Sequence, residues 1–442
     1  MLGFSLVFYA WAGIRYLPLL LGMTFICWFF ALRIDESENA KQRKLLLGVC
    51  TGICLLILAI FKYTGFFLTE LKLFTGVPEV IPQVVLPIGI SFYTFQLISY
   101  VIDVYRGQTA PQSKYWLLLL YSSLFHQCIA GPIVRYSDIN EDIMRRRTAS
   151  FEFSKGITRF AIGLAKKAVL ANGCAAVADK FFAADNVSGS PALGIWLGAF
   201  AYMLQIYLDF SAYSDMAIGM GLMSGLHYKE NFNYPYAAVS VTDFWRRWHI
   251  SLSSFFRDYV YIPLGGNRCS GQRQIMNLLA VWFLTGLWHG ASWNYIFWGL
   301  YYFVFLVIEK FIWTGYDKIR VPLRRLMVLA VVFFGWVIFR FEDLSTLCAA
   351  LRGMLCLNHN SFSDLSVSLE FKNNIFFLIF CVVAVTPAGK YIKKIFAGIS
   401  RENTAALWIY TVIDALIPVA LLIVSMMALS GNSYNPFLYF RF

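Results

Sequence analysis

The sequence is poor in charge: Asp, Glu, Lys and Arg make up only 14% of its 442 residues. Soluble globular domains carry about 25% of these residues. At the same time 59% of the residues are hydrophobic, which is more apolar surface than a soluble fold of this size can bury. The composition therefore excludes a disordered chain and a set of soluble domains, and it indicates a protein that lies largely in a lipid bilayer.

Several common chemical motifs are also missing. The sequence has no CxxC pair, no HExxH, no GxxxxGK[ST] loop and no GxSxG elbow. It therefore predicts no metal site, no tightly bound cofactor and no serine-hydrolase triad. The nine cysteines are scattered, and most lie in apolar runs, where free buried thiols are expected. The net charge of +12 is typical of basic cytoplasmic loops, so we expect lipid contacts and no nucleic-acid partner.

What the sequence has instead is a succession of apolar runs, and a helix needs about 20 apolar residues to cross a bilayer. The runs predicted to form membrane helices are Leu17–Leu32, Leu45–Leu68, Val84–Val104, Ile157–Phe182, Leu193–Leu222, Ile275–His289, Tyr295–Phe311, Leu326–Arg340, Asn374–Val385 and Ala406–Leu429. Basic and poorly basic loops alternate between them. The positive-inside rule therefore places Arg33–Lys44, Arg246–Arg273 and Lys318–Arg325 in the cytoplasm, and Asp185–Pro191 and Phe341–Lys372 on the opposite face.

One segment breaks this alternation. Trp116–Ile133 lies between two basic loops and contains His126, Gln127 and a Gly-Pro pair, so we expect it to enter the membrane and return. Such backbone is tolerated only where protein or a water-filled cavity shields it. The predicted fold class is an all-α polytopic membrane protein with about 10–11 membrane helices and re-entrant or interfacial helices. We expect a single domain, 1–442, with core blocks at about 84–312 and C-terminal helices at 326–442.

The stretch Tyr228–Arg273 is too polar to span and is rich in Arg and Trp. Its apolar residues recur at roughly helical spacing, and Thr242 or Asp243 is a candidate helix cap. These features favour an amphipathic interfacial helix, with Arg246, Arg247 and Arg257 on its polar side.

Two groups of polar residues lie inside apolar runs. His289 follows a nearly unbroken run and is flanked by Trp288 and several small residues, a setting that suits a general base in a dry pocket. The alternative is a histidine that is hydrogen-bonded at a helix end. One helical face of a later run carries the polar residues Tyr202, Gln205, Asp209 and Tyr213. Together with Asp215, these residues either line a cavity or form a structural network, and the spacing alone leaves both possibilities open.

Three long blocks resemble the membrane-bound O-acyltransferase family. They are "YLDFSAYSDMAIGMGLMSGLHYKENFNYPY", "DFWRRWHISLSSFFRDYVYIPLGGNR" and "LTGLWHGASWNYIFWGLYYF". The most similar branch is the bacterial polysaccharide branch, of the alginate O-acetylase membrane-subunit type. "ISFYTFQLISYVIDVYRG", "QCIAGPIVRY" and the terminal "NPFLYFRF" also resemble it. The similarity extends from about Phe8 to Phe442. The family usually carries a further apolar segment before the block that begins at Phe8.

The resemblance implies a fold, a reaction and two site residues. His289 matches the family's catalytic histidine, and His249 matches its second characteristic histidine. The fold is expected to be a ring of helices around a central funnel or tunnel. The expected donor is a cytoplasmic thioester, acetyl-CoA, and the acyl group is expected to leave on the opposite face. There an extracytoplasmic esterase-like acetyltransferase subunit would place it on a polysaccharide such as alginate.

The expected mechanism is acyl transfer to a hydroxyl, with His289 as general base. His249 would orient the donor or polarise its carbonyl. Arg246, Arg247 and Arg257 would hold donor phosphates, although contact with lipid headgroups explains these arginines equally well. A covalent acyl-histidine relay is a further possibility. The alternatives are teichoic-acid D-alanyl transfer within the same family, a transporter that uses Asp209 and His289, and a scaffold without chemistry.

Overall fold

A computed structural model describes residues 1–75, 84–129, 131–313, 315–402, 404–431 and 436–438. The terminal block that begins at Asn435 lies partly outside these residues. The chain forms two compact units, and each is built from three separate stretches. The first unit comprises Met1–Gly156, Met220–Lys229 and Ser254–Asn267, and the second comprises Ile157–Gly219, Glu230–Ser253 and Arg268–Phe442. The single domain expected from the sequence stays a prediction.

All regular structure in the described residues is helical. The first nine α-helices are α1 (Leu2–Gly13), α2 (Leu17–Glu36), α3 (Ala40–Thr75), α4 (Ile90–Tyr105), α5 (Tyr115–Ser123), α6 (Tyr136–Met144), α7 (Ser150–Ala165), α8 (Asn172–Phe181) and α9 (Ala192–Met223). The next nine are α10 (Val241–Arg247), α11 (Ile250–Phe256), α12 (Gly271–His289), α13 (Trp293–Val307), α14 (Val321–Arg340), α15 (Leu344–Met354), α16 (Leu365–Ala384), α17 (Ala388–Glu402) and α18 (Thr404–Ser430). The predicted all-α class is confirmed.

Eight helical stretches in the described part of the chain are long and apolar enough to cross a membrane. They are Leu2–Glu36, Ala40–Lys72, Ser150–Phe181, Ala192–Met223, Trp293–Ile312, Val321–Arg340, Leu365–Ala384 and Thr404–Ser430. The two other predicted runs form the helices α4 and α12. Helix α4 has only 16 residues, and nearly all of them are buried. The polytopic architecture is therefore confirmed, and the ring of helices around a funnel stays a prediction.

The segment that broke the loop alternation is short and irregular, as predicted. Helix α5 has nine residues, about 14 Å at 1.5 Å per residue, which is less than half of a hydrocarbon core. Beyond α5 the backbone leaves the helix at Leu124, and His126 and Gln127 are buried in the first unit. His126 hydrogen-bonds Tyr228 through Nδ1, at 2.9 Å. Protein contacts thus shield this backbone, as a non-spanning membrane segment requires.

In the second unit, glycines bring α12 and α13 into direct backbone contact. A Cβ atom on Gly286 would lie 2.4 Å from the Tyr295 carbonyl oxygen, and one on Gly299 would lie 2.3 Å from that of Trp282. A Cβ on Gly290 would lie 2.3 Å from the Tyr295 ring. Only glycine allows this approach. The small residues beside His289 therefore serve the packing of two helices, which fixes the end of α12.

Candidate active site

His289 is the last residue of α12 and is half-buried. The helix begins at the Ser270 cap, whose Oγ accepts the Arg273 N–H, and it ends where Gly290 takes an extended conformation. The imidazole packs edge-on against three aromatic rings. The ring centroids of Trp288, Trp298 and Phe339 lie 4.8, 4.9 and 5.1 Å from that of His289. These contacts restrict the orientation of the ring.

His289 also borders a small cavity of about 30 Å³ in the second unit. The apolar lining consists of Ile206, Phe210, Trp248, Trp288, Trp336 and Phe339. The other residues that line the cavity are Asp209, His289 and Leu438. Three of the lining side chains are tryptophans, and one of them, Trp288, precedes His289 directly in the sequence. The cavity is almost entirely apolar, so any charge that develops in it is poorly solvated.

The Arg/Trp segment forms two short helices, α10 and α11, rather than one amphipathic helix. Ser240 caps α10 by accepting the Asp243 N–H at 3.0 Å, so the predicted cap at Thr242 or Asp243 is wrong. Asp243 instead pairs with Arg247 one turn later, at 2.8 Å. The helices meet at His249, which takes a left-handed conformation with φ of 44°. A non-glycine residue in this region stores strain that its surroundings must hold.

Asn231 holds the turn at His249. The main-chain carbonyl oxygen of Asn231 accepts the Ile250 N–H at 2.9 Å, and its side-chain Oδ1 accepts the Ser251 N–H at 3.2 Å. Because the Ser251 N–H identifies this atom as an acceptor, the His249 Nδ1, 3.2 Å away, carries the proton. The neutral Nε2 is then a buried acceptor that lacks a hydrogen-bond partner among the described residues.

His249 is 1% exposed, and burial lowers its pKa to about 3. The imidazole is therefore neutral at pH 7. It packs against two residues that line the small cavity, with ring centroids 4.8 Å from Phe210 and 5.7 Å from Trp288. Trp288 thus contacts both predicted catalytic histidines. His249 can accept a hydrogen bond through Nε2, but in this tautomer it cannot donate one there to a carbonyl oxygen.

A buried ion pair forms the polar side of the small cavity. Asp209 is 2% exposed and accepts a 2.6 Å hydrogen bond from Lys167, which is 8% exposed. Lys167 lies in a π-helical stretch, Lys166–Ala171, that follows α7. This wider turn carries two successive lysines, and Lys166 pairs with Asp215 at 2.6 Å. Such π-bulges are common at functional sites.

The C-terminal segment 436–438 binds this ion pair. The second oxygen of Asp209 accepts the Leu438 N–H at 2.8 Å, and Lys167 also donates to the Pro436 carbonyl at 3.1 Å. The Phe437 ring lies 4.6 Å from the Lys167 ammonium and 5.2 Å from the Tyr213 ring. The predicted polar face of α9 therefore forms part of a network and lines cavities as well.

A second, larger cavity of about 640 Å³ lies in the same unit. Its polar lining includes Asp179, Asp185, Asn186, Arg340, Glu342 and Asp343. Except for Asp179 of α8, these residues belong to, or adjoin, the two loops predicted to face away from the cytoplasm. The loops also bond each other: the Asn360 side-chain amide donates to the Ser190 carbonyl at 2.9 Å. Leu438 lines both the larger and the smaller cavity.

The three predicted phosphate-binding arginines are divided between the two units. Arg246 is exposed, whereas Arg247 is paired with Asp243 and donates to the Asn233 carbonyl at 3.4 Å. Arg257 belongs to the first unit and pairs with its neighbour Asp258 at 2.7 Å. The role of these arginines at donor phosphates stays a prediction. In the second unit, Arg246 is more exposed than Arg247.

Two groupings were not predicted from sequence. Lys167 was overlooked, although a lysine inside an apolar run is itself a sign of a buried partner. In the first unit Cys27, Cys50 and Cys54 are buried with their sulfur atoms within 4.8 Å of one another. The one-turn spacing of Cys50 and Cys54 was the available signal, but the contact with Cys27 of α2 depends on tertiary packing.

The membrane-bound O-acyltransferase family model matches residues 115–351, which include both predicted catalytic histidines. The chain belongs to the membrane-bound O-acyltransferase family. It is therefore a multi-pass membrane O-acyltransferase, and the transporter and scaffold alternatives are set aside.

Individual relatives are similar in sequence over much of their length. A "probable alginate O-acetylase" of Azotobacter vinelandii is 38% identical over 99% of this chain and 93% of its own. A peptidoglycan O-acetyltransferase of Helicobacter pylori is 34% identical over 99% of this chain and 90% of its own. A teichoic acid D-alanyltransferase of Bacillus subtilis is 30% identical, but over only 58% of this chain and 67% of its own.

Proposed function

We propose that this O-acyltransferase moves an acetyl group from cytoplasmic acetyl-CoA across the cytoplasmic membrane for O-acetylation of an extracytoplasmic polysaccharide. The relatives similar over nearly the whole chain are named for acetyl transfer to alginate or peptidoglycan. The D-alanyltransferases match only about half of the chain. Acetyl transfer is therefore favoured over D-alanyl transfer, and a polymer such as alginate is the favoured class of acceptor.

The observation that carries this proposal is the position of His289 at a small apolar cavity. The cavity also borders Trp248, which belongs to the segment predicted to be cytoplasmic, and it shares Leu438 with the larger polar cavity beside the opposite loops. A donor from one face and an acceptor from the other can thus approach within a short distance. This short distance between donor and acceptor supports transfer across the membrane in one chemical step.

In the proposed step, neutral His289 removes the proton from the acceptor hydroxyl. The resulting oxygen attacks the thioester carbonyl carbon, and the tetrahedral intermediate collapses with cleavage of the C–S bond. The CoA thiolate leaves and takes up a proton, so charge and atoms balance. General base catalysis of this kind contributes about 10²–10⁴-fold in rate. His249, packed against Trp288 and Phe210, would orient the donor through these two residues of the cavity wall.

The acceptor hydroxyl belongs either to the sugar or to an extracytoplasmic esterase-like acetyltransferase subunit that passes the acetyl group on. The larger cavity, with its many polar side chains, is the proposed entry for that hydroxyl. On the opposite side, exposed Arg246 is the proposed contact for donor phosphates, because guanidinium groups bind phosphate in a bidentate manner.

Membrane vesicles of known orientation test the direction of transfer. Radiolabelled acetyl-CoA supplied to the cytoplasmic face should acetylate acceptor on the opposite face, and His289→Ala should abolish that label. His359→Ala is the matched control, because His359 is an exposed loop residue. Labelling that requires donor on the extracytoplasmic face, or that persists in His289→Ala vesicles, would contradict the proposal.

A further inference from the structure

We infer that the small cavity beside His289 is an acyl-binding pocket sized for a two-carbon acyl group, and that Leu438 is the residue that sets this length limit. The inference rests on the proposed function and names the acyl class that the site accepts. It assigns a specificity role to a residue of the C-terminal segment.

The cavity is small and apolar, as a pocket for a short acyl group requires. Its volume of about 30 Å³ is roughly one twentieth of the 640 Å³ of the larger cavity, and each longer acyl chain adds a methylene that this space must hold. The walls are rigid: Trp336 is 2% exposed and Trp248 is 3% exposed, and the two rings pack with their centroids 4.7 Å apart.

Leu438 differs from the other lining residues in what lies beyond it. Its side chain, 5% exposed, borders both the 30 Å³ cavity and the 640 Å³ cavity. It is therefore a wall between a pocket that fits an acetyl group and a space that fits a much longer chain. A shorter side chain at this position joins the two spaces and removes the length limit.

The wall is held in place by charged groups. The Leu438 N–H donates to Asp209 at 2.8 Å, and Lys167 donates to both Asp209 and the Pro436 carbonyl. Hydrogen bonds to charged partners are the stronger kind in proteins. Asp209 and Lys167 are thus positioning residues, which act on acyl selection through Leu438.

The experiment compares acetyl-CoA with propionyl-CoA as donors for purified wild type, Leu438→Ala and Leu438→Phe. One methylene in an apolar pocket discriminates by about 10–200-fold. Leu438→Ala should therefore raise the propionyl-to-acetyl ratio of kcat/KM at least about tenfold, with acetyl transfer retained. Leu438→Phe should lower turnover of both donors, because it fills the pocket. Leu429→Ala, an exposed leucine of α18, should leave the ratio unchanged.

The outcomes distinguish failure of the length limit from failure of the proposed function. A ratio that is unchanged in Leu438→Ala, while His289-dependent acetyl transfer persists, would overturn the length limit alone. The absence of any His289-dependent acetyl turnover in wild type would overturn the proposed function and, with it, the acyl pocket. A raised propionyl-to-acetyl ratio in Leu438→Ala supports the inference, because loss of folding would lower turnover of both donors without changing their ratio.

Discussion

The Lys167–Asp209 ion pair should be strongly coupled, because both side chains are withdrawn from solvent. Their exposures are 8% and 2%, and the two charged atoms are 2.6 Å apart. Lys167→Met leaves the Asp209 carboxylate buried without its counter-ion, which costs about 3–5 kcal/mol in comparable buried pairs. This corresponds to roughly two to four orders of magnitude in the unfolding equilibrium. The variant also loses the hydrogen bond to the Pro436 carbonyl.

A double-mutant cycle measures this coupling. Lys167→Met combined with Asp209→Leu removes both charges, and replacement of a whole buried pair by apolar residues is often nearly neutral. Here the Leu438 N–H loses its acceptor, which costs about 1–3 kcal/mol. The double variant should therefore be less stable than wild type by about that amount, yet more stable than Lys167→Met alone.

The assay is reversible unfolding in detergent micelles, read out as the free energy of unfolding of the four proteins in the cycle. Lys393→Met provides the control: Lys393 pairs with Asp414 at 2.9 Å, but the side chains are 61% and 48% exposed. Exposed pairs contribute about 0–1 kcal/mol. The reasoning is refuted if the two single substitutions add without coupling, or if Lys167→Met costs no more than Lys393→Met.

Further predictions concern packing and pH. Gly286→Ala should force α12 and α13 apart, because the new Cβ would lie 2.4 Å from a backbone oxygen. The substitution should lower the free energy of unfolding by about 1–3 kcal/mol. Gly48→Ala is the control and should be tolerated, because a Cβ at that position meets no atom within 4 Å. His227 is exposed and hydrogen-bonds Glu152 and Asp142, which raise its pKa in the folded protein. Its contribution to stability should thus be greatest at mildly acidic pH, where the imidazole is charged and its partner carboxylates are ionised, and should decrease as pH rises through the pKa of His227. The stability difference between wild type and His227→Ala, followed by pH-dependent unfolding, should therefore be larger at mildly acidic than at alkaline pH.

Much of the membrane fold follows from sequence, because a bilayer imposes simple constraints. Apolar length predicted the spanning helices, and loop charge identified α5 and the backbone after it as a segment that does not cross. Helix α4 is the informative difference. Its run, Val84–Val104, predicted a span, but the structure gives a helix of 16 residues, Ile90–Tyr105, and nearly all of them are buried. Hydropathy alone does not distinguish a lipid-facing helix from one surrounded by protein.

The candidate site was predicted in part. His289 and the polar face of α9 were identified because ionisable groups are rare in apolar runs, whereas His249 was identified by the resemblance to the family. The role of the C-terminal segment was not, since Leu438 meets Asp209 across 229 positions of sequence, and no local pattern encodes that contact. Likewise, the turn at His249 depends on Asn231, 18 positions earlier. Such contacts are set by the packing of whole elements.

The most direct test of the central claim is the rate of acetyl-CoA turnover by purified His289→Ala protein, measured beside wild type and His359→Ala. If His289 is the general base, turnover should fall by about 10²–10⁴-fold, while His359→Ala keeps the wild-type rate and both variants keep the wild-type unfolding profile. A folded His289→Ala protein that retains acetyl transfer within tenfold of wild type would contradict the account.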